Sequence, residues 1–239
     1  MNLVELSRSE HRELRIRADR VEASVASQHL IPIVVSEFRK AATQYPIVFA
    51  KNPESGRFAP YVLSGLGVEE NLFWTGTELD AAYVPLNVRR QPFYVGQDNA
   101  LCIDLDSPCV DEAGLETIVD ADGSDSAYLE ERLAILSELV VGKKATEPFI
   151  ATALSLDLLA PILLDIVLDD GTPLQGQGLY GLDEEKLRQL DAGEIARLWK
   201  NGYLDLLYAV MISSGQIFKL IRLKNQRIAL SRAWQGEAK

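Results

Sequence analysis

Aromatic rings and guanidinium groups crowd one stretch of this sequence, and these residue types are the best suited to grip a ligand. Tyr45, Tyr83, Phe93 and Tyr94 could line an apolar wall, with Arg89 and Arg90 clamping a carboxylate or phosphate. A small acidic ligand is the chemistry such a site would take. The plainer reading, which the sequence favours, pairs both arginines with structural acids. The nearby prolines then only shape loops around a core.

Other chemistry is thinly provisioned. The two histidines, His11 and His29, lie eighteen positions apart, and neither a His-x-x-x-His nor a Cys-x-x-Cys pair occurs. No metal site of ordinary spacing is expected. Gln175-Gly176-Gln177-Gly178 falls in a hairpin strand, where glycine marks a bulge or a close backbone approach. Gly-x-Ser-x-Gly is missing, and Cys102 and Cys109 read as free thiols. The loop from Asp120 to Asp125 places oxygen donors at calcium-like spacing, but Asp125 stands where the sharp turn wants glycine. No cofactor is expected, and binding is favoured over catalysis.

The chain has 239 residues, 47% of them apolar and 25% charged, with a net charge of -11. An acidic balance argues against nucleic acid as a partner. Resolved by segment, residues 1–97 balance 11 bases against 11 acids, residues 98–194 carry 5 against 22, and residues 195–239 carry 8 against 2. The acidic 98–194 block either meets a protein partner or lies against the basic end, residues 195–239, in one domain. The opening Met1-Asn2-Leu3-Val4-Glu5 lacks the basic region of a secretory signal. The charge-free run Leu206 to Phe218 is too short and too polar for a membrane span. A cytoplasmic protein is the expectation.

The elements that must position the aromatic–arginine band read as one α+β domain over residues 1–239. Its sheet is mixed or antiparallel, with hairpins in the N-terminal half and a mostly helical C-terminal half. Alternation in Glu13–Arg17 predicts a strand, and Ser36 is placed as the cap of a short helix ending near Tyr45. Residues 46–50 and 58–63 predict a hairpin about Asn52-Pro53-Glu54-Ser55-Gly56. Leu101 to Leu105 is strand-like. A helix from Ser126 is expected to end at Gly142, and a second to begin at Thr146-Glu147-Pro148 and break at Pro161. A hairpin over 162–182, short helices from Asp183 and Glu194, and a final helix over 204–224 complete the reading.

Several segments resemble the SapC family of bacterial proteins. They are Glu37-Phe38 with Ala41-Ala42 and Tyr45-Pro46-Ile47-Val48-Phe49, then Leu66 with Glu70-Asn71-Leu72-Phe73. Tyr83-Val84-Pro85 with Arg89-Arg90 and Pro92-Phe93 follow, then Asp170-Gly171 with Gly178-Leu179-Tyr180. Asp183-Glu184-Lys186-Leu187 and Gly202-Tyr203-Leu204 extend the likeness, which covers about residues 10–225. Leu79 departs from the pattern, standing where a Trp is expected. The resemblance implies a soluble accessory protein linked to bacterial surface-layer or nutrient-uptake physiology. It implies no catalytic residues.

Overall fold

A computed structural model describes residues 1–53 and 55–237, with side chains through residue 233. In chain order the elements are β1 (Leu3–Glu5), β2 (Arg15–Ile16), β3 (Leu30–Pro32), α1 (Phe38–Ala41), β4 (Ile47–Lys51) and β5 (Phe58–Leu63). Then come α2 (Leu86–Arg89), β6 (Phe93–Val95), β7 (Leu101–Asp104), β8 (Glu116–Thr117) and α3 (Ala127–Ser155). The hairpin β9 (Leu159–Val167) and β10 (Pro173–Leu182) precedes α4 (Glu184–Gln189), α5 (Ala192–Lys200), α6 (Tyr203–Ser213) and α7 (Ile217–Glu237). The fold is α+β with open antiparallel sheets, its strands mainly N-terminal and its helices C-terminal. The main sheet has the order β3-β5-β4-β10-β9, so the two hairpins join along β4 and β10. A three-stranded sheet, β1-β7-β6, and the pair β2-β8 lie beside it.

Alternation along β4 explains how the layers are held. Phe49 meets Phe38 of α1 and Phe149 of α3 at ring separations of 6.5 and 6.4 Å. Val48, one residue earlier, faces the other way and lines a cavity with Met211 of α6 and Ile217 of α7. The β4 Ile47 N–H donates to Ser213 Oγ of α6 at 2.9 Å, which satisfies a buried amide and fixes the C-terminal helices to the sheet.

The helix α3 corrects the expected break at Gly142 and the expected restart at Thr146. It runs through both, and through Pro148, for 29 residues. Ser126 caps it as expected, its Oγ accepting from Leu129 N at 3.2 Å. Gly142 serves a close approach instead of a stop: a Cβ there would lie 2.5 Å from Val34 Cγ2. One turn on, Thr146 Oγ1 donates to Gly142 O at 2.7 Å and accepts from Val35 N at 3.1 Å. Pro148 cannot donate to its preceding turn, yet buried Phe149, Ile150 and Ala153 keep the helix against the core. Pro161 falls inside β9 and breaks no helix. Gly142→Ala is therefore expected to destabilise by about 1–2 kcal/mol, because overpacking outweighs the gain in helix propensity. Urea unfolding checks this, and a stabilised variant would contradict the seating of Val34.

In place of one final helix over 204–224, α6 and α7 are separate helices joined by a 3-10 turn at Ser214–Gln216, and together they extend beyond that range. By length and composition alone the run Tyr203–Ala233 is long and apolar enough to cross a membrane, although Leu206 to Phe218 by itself read as too short. Its Leu207, Val210 and Leu220 are buried, while Ile212 and Phe218 are exposed.

Candidate ligand groove

The band divides between core and surface, and one buried carboxylate decides where. Glu37 is 1% exposed and is the last residue of a 3-10 turn, Val35–Glu37. Its Oε2 accepts from Val34 N at 2.8 Å, and its Oε1 accepts from Leu86 N at 2.8 Å and Tyr83 Oη at 2.9 Å. Glu37, and not the expected Ser36, thus caps the turn that leads into α1. Burial pushes the Glu37 carboxyl up from its ordinary value, against the pull of its three donors. Burial, with the Glu37 charge second, also raises the Tyr83 hydroxyl.

Tyr45 lies in this same tie. Its Oη donates to Tyr83 O at 2.9 Å, and its ring stands edge-on to Phe73 at 4.6 Å. Phe93 is fully buried beside Tyr128. These three aromatics hold the fold, and none lines the groove described next.

Arg89 and Arg90 part company at the end of α2. The Arg89 guanidinium is 3.7 Å from Glu131 Oε1, and Arg132 Nη1 of α3 donates to Arg89 O at 2.8 Å. Arg90 turns back on its own chain. Its Nε donates to Asn87 Oδ1 at 2.9 Å and its Nη1 to Phe93 O at 2.7 Å. Its guanidinium carbon stacks 3.9 Å from the centre of the Tyr94 ring. Burial lowers the Arg90 pKa from its ordinary value, and the group stays charged.

Arg90 and Tyr94 form one wall of a groove of about 570 Å³, with α3 as the other. The α3 wall presents Lys143, Lys144 and Glu147 above Leu136 and Leu139. Neither lysine makes an ion pair among the described residues. Asn99 also lines the groove and has a left-handed φ of 60°, a conformation that asparagine tolerates. Of the six expected site residues, the groove takes Arg90 and Tyr94 and leaves out Tyr45, Tyr83, Arg89 and Phe93. Sequence reasoning missed Lys143 and Lys144. A signal did exist: two of the five bases in the acidic 98–194 block are adjacent there.

Several acids of that block are matched within the chain. Asp111 pairs with Arg20, Asp125 with Arg8, Asp157 with Lys186, and Asp170 with Arg232. Such exposed pairs contribute little each. Two of these pairs reach N-terminal arginines and one stays within the block, and Arg232 is the block's one ion-pair partner from the tail among the described residues. Among the described residues no group of three His, Cys, Asp or Glu side chains is arranged to hold a metal.

A family model described as SapC matches residues 6–220 of the chain. No curated protein and no solved structure matches it.

Proposed function

We propose that this chain, which belongs to the SapC family, is an accessory protein that binds an acidic group in the groove between α2–β6 and α3. Arg90 is the observation that supports this reading. Its guanidinium is fixed by two neutral acceptors and an aromatic face, so its charge has no carboxylate partner among the described residues. Pre-organisation of this kind lowers the ordering cost of binding. Lys143 and Lys144 bring the local cations to three against the single Glu147. A carboxylate or phosphate fits that balance, and Tyr94 offers its ring to an adjoining apolar part. In the surface-layer or nutrient-uptake physiology that the family name suggests, the protein would hold such a ligand without transforming it.

Thermal shift with inorganic phosphate, glutarate and a short acidic peptide tests the reading, since a ligand of the native state raises its melting temperature. The peptide separates an acidic segment of a partner from a free small molecule. A saturable rise that weakens with salt is expected for at least one probe. The double variant Lys143→Ser/Lys144→Ser removes two exposed cations, so affinity is expected to fall about tenfold or more with little change in unliganded melting. No rise with any probe, or equal affinity in the double variant, would overturn the proposal.

A further inference from the structure

A second cavity lies on the opposite side of β4 from Phe49, between the sheet and the C-terminal helices. It is partly open to solvent and has a volume of about 240 Å³. Val48, Ile162, Leu164 and Leu179 form its sheet wall, and Met211 and Ile217 its helix wall. Gly181 of β10 opens the floor, because a Cβ there would lie 2.9 Å from Ile162 Cδ1. Protein interiors are close-packed, and an apolar void of about 150 Å³ is already enough to take up benzene. This one is larger.

Among the described residues only two polar side chains reach it, and both offer acceptors. The Ser214 hydroxyl donates its proton to Met211 O at 2.7 Å, which leaves its oxygen free to accept. Glu184 is ion-paired with Arg188 at 2.9 Å, and Arg188 is shared with Glu185, so the carboxylates there keep a net negative charge. Lone pairs at the rim welcome a donor and repel a second carboxylate.

We propose that this cavity binds a hydrocarbon chain bearing a hydrogen-bond-donating head, an aliphatic alcohol or amine, and discriminates against fatty acids. The site is separate from the anion groove and has the opposite preference, so the two readings stand or fall independently.

The sequence supplies its own reporter. It has two methionines, Met1 and Met211, and only Met211 lines the cavity. The full chain, labelled at the methionine methyls, is titrated with octanol, octylamine and octanoate and followed by NMR. Octanol and octylamine are expected to move the Met211 signal to saturation and leave Met1 in place. Octanoate is expected to bind at least tenfold more weakly. From hexanol upward, affinity is expected to rise about fourfold per methylene, then level off when the cavity is full. Met211→Trp fills the space and is expected to abolish binding, read by the thermal shift that octanol produces. Should that variant fail to fold, Glu184→Gln is expected to lower the preference for octylamine over octanoate about tenfold. An unmoved Met211 signal, or octanoate binding as tightly as octanol, would overturn the proposal. Undiminished binding in a folded Met211→Trp would do the same, as would an unchanged preference in Glu184→Gln.

Discussion

Replacing Glu37 with alanine is expected to lower the unfolding free energy by about 3–5 kcal/mol. The carboxylate satisfies Val34 N, Leu86 N and Tyr83 Oη. Each buried donor left without an acceptor costs about 1–3 kcal/mol, and relief from burying the charge returns part of the total. Glu37→Gln keeps one acceptor oxygen but turns an N–H2 toward a donor, so a smaller loss is expected. The two variants also separate packing from charge. Burial raises the Glu37 pKa above its ordinary 4.5, so between the two values the folded state holds more protons than the unfolded. Its contribution to stability is therefore full below about pH 4.5 and is lost as pH rises through the folded-state value. In Glu37→Gln that part of the pH dependence is expected to vanish. Urea unfolding at a series of pH values measures both effects. An alanine variant within about 1 kcal/mol of the parent would show that the tie is not structural.

Phe149→Ala is expected to cost a comparable 3–5 kcal/mol or so. Phe149 is buried, and its ring meets Phe38 at 5.7 Å, Phe49 at 6.4 Å and Tyr203 at 5.6 Å. One side chain thus joins α1, β4, α3 and α6, and truncation leaves a void among rings that cannot collapse onto one another. Phe149→Leu retains most of the volume and is expected to lose about 1–2 kcal/mol. Denaturant midpoints for the pair check the ratio. Equal losses would mean that ring geometry matters more than volume.

Local signals were enough for the hairpins and for several caps. Two apolar runs separated by turn residues predict a hairpin, and β4 pairs antiparallel with β5. Asp183 caps α4 by accepting from Lys186 N at 3.1 Å. What could not be read locally depends on partners distant in sequence. Gly142 and Pro148 carry the signals of a helix break, and contacts from Val34, Val35 and Phe38 override them. The groove was only partly legible for the same reason. Arg89 and Arg90 are adjacent and chemically alike, but the turn of α2 sends one toward Glu131 and the other onto Tyr94. Lys143 and Lys144 gain meaning only once α3 is continuous and lies across the groove.

The central claim is that Arg90, and not its neighbour Arg89, receives an acidic group. The most direct measurement follows arginine Nε–H signals by NMR while phosphate or glutarate is added to the full chain, with the two signals assigned through Arg89→Lys. A saturable shift of the Arg90 signal with Arg89 unmoved is the predicted result. A shift confined to Arg89, or none at Arg90 with either probe, would contradict it.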